Sequence, residues 1–265
     1  MRAALLYLLL ASVYLFFLPH AEFMVDDWNS VAQFEAAREA GARQQVELAI
    51  KMLQSKFHGL FRLYWLSHWI GYLLWLAGAS PAVMLVVFVV VHAGVATALR
   101  SVAERLGLAP GPAFLAGAIF VLLPTTHTPL FWNLSCSIFI WPTLWFLLYL
   151  RALAGSLRAE KLDRKAALEQ MAFLLLALFS GDAVFGLLVA AAPLAAWYFR
   201  SRLWLRATLL AWGTVGAATA VYALLISKAP PVAAVALRFE FSPARALMHL
   251  DSIYTTYRKL TGFAE

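Results

Sequence analysis

Charge is what this sequence has least of. Only 13% of its 265 residues are Asp, Glu, Lys or Arg, about half the share usual in soluble domains. With 63% of residues hydrophobic and a mean hydropathy of +0.77, a long soluble enzyme domain is excluded. The 10 Trp, 9 Tyr and 19 Phe exclude a disordered chain. The formal net charge is +7, but the basic residues are few and lie between apolar runs rather than on one patch. That excludes a nucleic-acid binder. The single cysteine, Cys136, excludes an internal disulfide. No Cys-x-x-Cys pair or His/Cys spacing suits a metal, and Cys136 reads as a small buried packing residue. Internal repeats and mid-membrane polar residues, the marks of a transporter, are also missing.

What is there is long, uninterrupted apolar sequence. Residues 3–21, 63–99, 106–150 and 207–227 contain no charged side chain, and 171–199 contain only Asp182. Membrane strands alternate apolar and polar residues, so solid runs predict an all-α polytopic membrane protein. Pro124 and Pro129 divide 106–150 into two helices. Ser180-Gly181-Asp182 divides 166–199, because one long helix would hold Asp182 at mid-membrane at a cost of several kcal/mol. The expectation is seven crossings, at about 3–19, 81–100, 108–124, 134–152, 166–180, 183–199 and 207–227. They form a membrane domain, 1–227, with a large outer loop at 20–80, followed by an outer helical segment at 228–265. Leu18-Pro19-His20-Ala21-Glu22 offers no small-x-small cleavage site, so the first run reads as a retained helix rather than a signal peptide.

Residues 61–77 are cut off by Gly78-Ala79-Ser80-Pro81 and carry Tyr64, Trp65, Trp69, Tyr72 and Trp75. Aromatics at that density suit a helix lying at the membrane interface. Charge parity agrees. With 61–77 lying flat, Arg100, Arg105, Arg151, Arg158, Lys161, Arg164, Lys165, Arg200, Arg202 and Arg206 all fall on the side of Arg2. The positive-inside rule then puts Leu157 in the cytoplasm, with Asp26 and Glu265 outside, in a bacterial cytoplasmic (inner) membrane.

In the outer loop, Ser30 and Gln33 form a possible capping box for a helix that ends near Ala40, before Gly41. A second helix follows, with Val46, Ile50, Leu53 and Phe57 on one face, as in a helix lying on the membrane. In the C-terminal segment, residues 243–260 read as one more helix. Asp26-Asp27 sits just beyond the first crossing, between Met24-Val25 and Trp28. Two adjacent carboxylates near an apolar surface repel each other and lose solvation, which raises one pKa. Such a pair is either a general base, a site for a divalent cation, or an exposed helix cap. Arg62, beside His58 and Gly59, offers a fork of donors to a lipid phosphate or snorkels to headgroups. His127, in Pro124-Thr125-Thr126-His127-Thr128-Pro129, either contacts a phosphate or is simply solvated. His92 lies inside the second crossing, where a hydrogen bond to a neighbouring helix is the commoner role.

In order along the chain, these features resemble the GT-C superfamily of membrane glycosyltransferases. The matches are Phe-Met-Val-Asp-Asp-Trp after the first crossing; Phe61-Arg62, then Gly78-x-x-Pro81 and His92; Ile119 to Pro124 with Trp132; and Leu178-Phe179-Ser180-Gly181-Asp182-Ala183. The resemblance implies a seven-helix core and transfer of a sugar from a polyprenyl-phosphate carrier on the extracytoplasmic side. It implies catalytic roles for Asp26 and Asp27, with Asp26 also the candidate ligand of a divalent cation. Arg62 and His127 would hold the carrier phosphate, and Asp182 would line the cavity. Leu63, Thr128 and Gly181 depart from the pattern, standing where proline, an acidic residue and lysine are usual. The other expectation is therefore a non-catalytic integral subunit that docks protein partners through its Trp-rich membrane surface. Membrane lipid surrounds the chain in either case.

Overall fold

The computed structural model describes residues 2–21, 31–32, 34–36, 38–39, 41, 43, 65–123, 137–181 and 184–227. All of them belong to one compact unit, 1–56 with 61–230. The second unit, 57–60 with 231–265, lies outside the described residues, as do the expected helix at 243–260, the face of Val46, Ile50, Leu53 and Phe57, and Cys136.

Among the described residues every regular element is helical. Helix α1 (Arg2–Ala11) continues as a 3-10 helix, Ser12–His20. Then come α2 (Trp65–Leu76), α3 (Pro81–Arg105), α4 (Pro110–Leu122), α5 (Ser137–Arg158), α6 (Arg164–Ser180), α7 (Phe185–Tyr198) and α8 (Trp204–Ser227). The described residues within 31–39 are helical too, and Gly41 follows them at φ +92°, the stop expected there. Among the described residues three segments are long and apolar enough to cross a membrane: Arg2–Pro19, Pro81–Arg105 and Phe139–Arg158. Pro110–Leu122 and Phe185–Tyr198 are apolar but shorter. The first segment differs from expectation in its winding. At about 2.0 Å rise per residue the 3-10 stretch is longer than an α-helix of equal count, so Arg2–His20 reaches roughly 33 Å, enough for a ~30 Å hydrocarbon core.

The helix boundaries have local causes. Ser80 caps α3 by accepting from Val83 N at 3.3 Å, and Pro81 occupies the first turn, where its missing N–H is harmless. Asp163 caps α6 through Ala166 N at 2.9 Å, which starts that helix at Arg164 rather than 166. That hydrogen bond, helped by Lys161, holds the Asp163 carboxyl below the usual carboxylate range. Four helices close with a left-handed residue and an amide that reaches back five positions: Gly78, Gly107, Glu160 and Arg200. Two of these positions are not glycine, so nothing in the sequence signals them.

The packing directions follow from a few contacts. Tyr7 donates to Phe114 O at 2.9 Å and Tyr14 donates to Val121 O, so the first segment runs parallel to α4. Phe88 packs on Trp141, and Arg105 Nη1 donates to Arg151 O at 2.8 Å, so α3 runs parallel to α5. Trp145 stacks on Phe173, and buried Gln170 Nε2 donates to Ser156 Oγ at 2.9 Å, so α6 returns antiparallel to α5. Trp212 Nε1 donates to Val189 O at 2.8 Å across α7 and α8. Tyr198 reaches Leu106 O at 2.7 Å, and Glu160 accepts from Arg202 N at 3.2 Å. The turns 106–109, 159–163 and 199–203 therefore meet at one end, together with Arg2 and the ten basic residues from Arg100 to Arg206.

Two apolar cores result. One joins the first segment, α3, α4 and the N-terminal half of α5; the other joins the rest of α5 with α6, α7 and α8. The exterior is also apolar, with Phe16 at 81%, Leu9 at 68% and Leu194 at 61% exposure. Exposed apolar surface on this scale belongs against lipid or protein, not water.

Two outcomes test this packing. A Cβ at Gly117 would stand 2.5 Å from the Tyr7 hydroxyl oxygen and 2.9 Å from Ala96 O. Gly117→Ala should therefore cost roughly 1–3 kcal/mol, read as a lower thermal midpoint; an unchanged midpoint would mean that α1 does not seat there. Lys161 is the better topology reporter than Leu157, which is 2% exposed. In a Cys136→Ser background, Asp26→Cys should react with an impermeant thiol reagent added outside the cell and Lys161→Cys should not. Labelling of Lys161→Cys would reverse the orientation.

Candidate functional site

With three turns at the basic end, the alternating helices fix what leaves the other end. The chain departs the described helices there at Ala21, Leu123 and Gly181, each with extended backbone. Helix α2 joins them, because its Ser67 hydroxyl donates to Ser180 O, the last residue of α6, at 2.7 Å. All five candidate residues belong to stretches that begin or end here. Asp26 and Asp27 follow Ala21, Arg62 precedes Trp65, His127 lies between α4 and α5, and Asp182 lies between α6 and α7. Asp26, Asp27, Arg62, His127 and Asp182 themselves lie outside the described residues, and so does the candidate cation position at Asp26. Among the described residues no group of three or more His, Cys, Asp or Glu could hold a metal ion.

Below this end the first segment, α3 and α4 meet at His92, which is 1% exposed. Its Nε2 donates to Val121 O at 3.4 Å, the carbonyl that also accepts the Tyr14 hydroxyl. The ring lies edge-on to Tyr14 at 6.0 Å and tilted on Phe120 at 4.8 Å. His92 thus ties α3 to α4, the role that a histidine inside a crossing most often has.

Helix α2 carries what sequence reasoning missed. Its aromatics were expected at a membrane interface, yet Ser67 is buried at 0% and Tyr72 at 3% exposure. Tyr72 packs with Phe34 at 5.0 Å and Trp75 at 6.3 Å, while Arg38 lies 5.2 Å over the Trp75 ring. These contacts tie the described helical residues of the outer loop to α2. Among the described residues, Trp69, Tyr72, Trp141, Trp145 and Ser180 each carry a buried N–H or O–H group without a hydrogen-bond partner. Unpaired buried donors are uncommon in native proteins, and five of them gather on α2, the first half of α5 and the last turn of α6. The run from Tyr64 to Trp75 was the one available signal, but composition alone does not say which way such rings face.

No family model, curated protein or solved structure matches this chain.

The Ser67–Ser180 bond gives a direct test of how α2 is held. Interhelical hydrogen bonds of this kind are worth about 0.6 kcal/mol on average in membranes. Ser67→Ala should lower the thermal midpoint slightly and speed proteolysis between residues 22 and 64. No change in either would mean that α2 is held by its aromatic contacts alone.

Proposed function

We propose that this protein is a GT-C-like membrane glycosyltransferase. It transfers a sugar from a polyprenyl-phosphate donor to an acceptor on the extracytoplasmic side of a bacterial inner membrane. In this reading all seven segments cross, the short ones with local thinning of the bilayer, and the basic turns face the cytoplasm. The observation that carries the proposal is the common end at Ala21, Leu123, Gly181 and Ser67, from which every stretch bearing a candidate residue departs. Among the described residues, Trp69 of α2 and Trp141 and Trp145 of α5 carry unpaired buried donors, which suit a ligand rich in acceptor oxygens.

Asp26 takes the proton from the acceptor hydroxyl. The acceptor oxygen bonds to the anomeric carbon as the bond from that carbon to the phosphate oxygen breaks, and the electron pair leaves with the phosphate. Arg62 and His127 meet the negative charge that develops there, Asp27 assists Asp26, and Asp182 lines the cavity.

A second reading, a non-catalytic subunit of a membrane complex, draws on the exposed indoles of Trp197, Trp204 and Trp212, at 79%, 57% and 48%, and on the departures at Leu63, Thr128 and Gly181. One experiment separates the two. A positioned base contributes about 10²–10⁴-fold to rate. Asp26→Asn should therefore reduce transfer from polyprenyl-phosphate sugars by that order while helix content and expression stay unchanged. Asp27→Asn should do less, since adjacent side chains of an extended segment point opposite ways. Unchanged transfer in Asp26→Asn would overturn the assigned role. No transfer by the native protein, together with a stoichiometric co-purifying polypeptide, would establish the subunit instead.

A further inference from the structure

Two cavities adjoin along α7 and lead to the basic end. One, of about 380 Å³, is a groove between α5 and α7 lined by Phe146, Leu150, Leu187 and Leu194 together with Trp197 and Tyr198. The other, of about 660 Å³, shares Trp197 and Tyr198 with the first and adds Arg200, Ser201 and Trp204. Both volumes fall in the ~300–1,000 Å³ range of cavities that hold one small ligand. From Leu187 to Trp197 the groove follows α7 for about 15 Å and then opens onto the arginine.

We propose that this continuous groove is a binding site for one anionic glycerophospholipid of the leaflet that faces the basic turns. The inference rests on the membrane reading but not on the transferase reading. An acyl chain lies against Phe146, Leu150, Leu187 and Leu194, and the headgroup phosphate meets Arg200.

Three features favour this occupant over a partner helix. The surface changes from wholly apolar to cationic along the helix axis, as a lipid does from tail to headgroup. The charge is complementary: Arg200 and Arg202 lie on one turn with Arg206 in the first turn of α8 after it, and among the described residues no carboxylate forms an ion pair with their side chains, Glu160 meeting only the Arg202 amide. Basic pockets between membrane helices suit anionic headgroups on these grounds. The exposed rings of Trp197 and Trp204, on either side of Arg200, sit where indoles meet headgroups. The backbone also fixes the cation. Arg200 holds φ +50° and Ser201 N bonds to Ala196 O at 3.1 Å, so its side chain departs from a closed turn rather than a free loop.

The test uses delipidated full-length protein, with thermal midpoint and native mass spectrometry as readouts. Phosphatidylglycerol should raise the midpoint well above phosphatidylcholine and should remain bound as one molecule per chain. Arg200→Asn suits the left-handed backbone and should abolish the preference for phosphatidylglycerol. Arg158→Asn, at the same end but outside both cavities, should keep it. Ala190→Leu narrows the groove and should weaken both lipids; Leu194→Gln serves if that variant does not fold. Equal shifts for the two lipids, retention of the preference in Arg200→Asn, or an equal shift with glycerol 1-phosphate alone would overturn the proposal. So would a co-purifying polypeptide that phosphatidylglycerol does not displace.

Discussion

Both halves of the structure depend on one helix. Trp141 and Leu147 of α5 pack into the core built by the first segment, α3 and α4, while Tyr149, Leu153 and Leu157 pack into the core of α6, α7 and α8. Arg105 lies over Gly155 and donates to Arg151 O, and Gln170 donates to Ser156. Helices α3 and α6 therefore each meet α5 through a polar contact that fixes their height. Apolar packing alone would let helices slide in a lipid-like medium, where it discriminates weakly between registers. These bonds set the register, and through it the levels at which the turns on both ends lie.

The polarity of the bundle follows from that register. One end gathers ten arginines and lysines on and beside three tight turns, and three of the described helices, α3, α5 and α7, close there by the same left-handed device. The other end has one such closure among the described residues, at Gly78 after α2. Its helices stop in extended backbone at Ala21, Leu123 and Gly181 and lead into long connections. A compact, charged end and an open, aromatic one lie along a single axis. The proposed lipid groove leads to the first, and the proposed transferase site lies at the second.

Much of this was legible in the sequence. Charge-free runs broken at Pro81, at Pro124 and Pro129, and at Ser180-Gly181-Asp182 located α3 to α8 to within six residues at each boundary. The side on which each turn falls followed from counting arginines. What the sequence could not express was direction and winding. The spacing of Ser67 and Tyr72 suits an interfacial helix, and it is their partners, Ser180 and Phe34, that show which face of α2 meets protein. Glu160 and Arg200 take a backbone conformation that glycine usually marks. For the candidate site, the sequence named Asp26, Asp27, Arg62, His127 and Asp182, and the described helices supply the end from which their segments depart.

The winding of the first segment carries a geometric consequence. A 3-10 helix turns about 120° per residue and an α-helix about 100°. Over the nine residues Ser12–His20, the difference amounts to roughly half a revolution. Rewinding this stretch as α-helix would draw Ala21 inward by about 4–5 Å and swing it to the opposite side of the helix axis. The choice between two helical pitches, held by the Tyr14–Val121 contact, is thus an azimuthal setting. It determines the bearing on which the chain sets out toward Asp26.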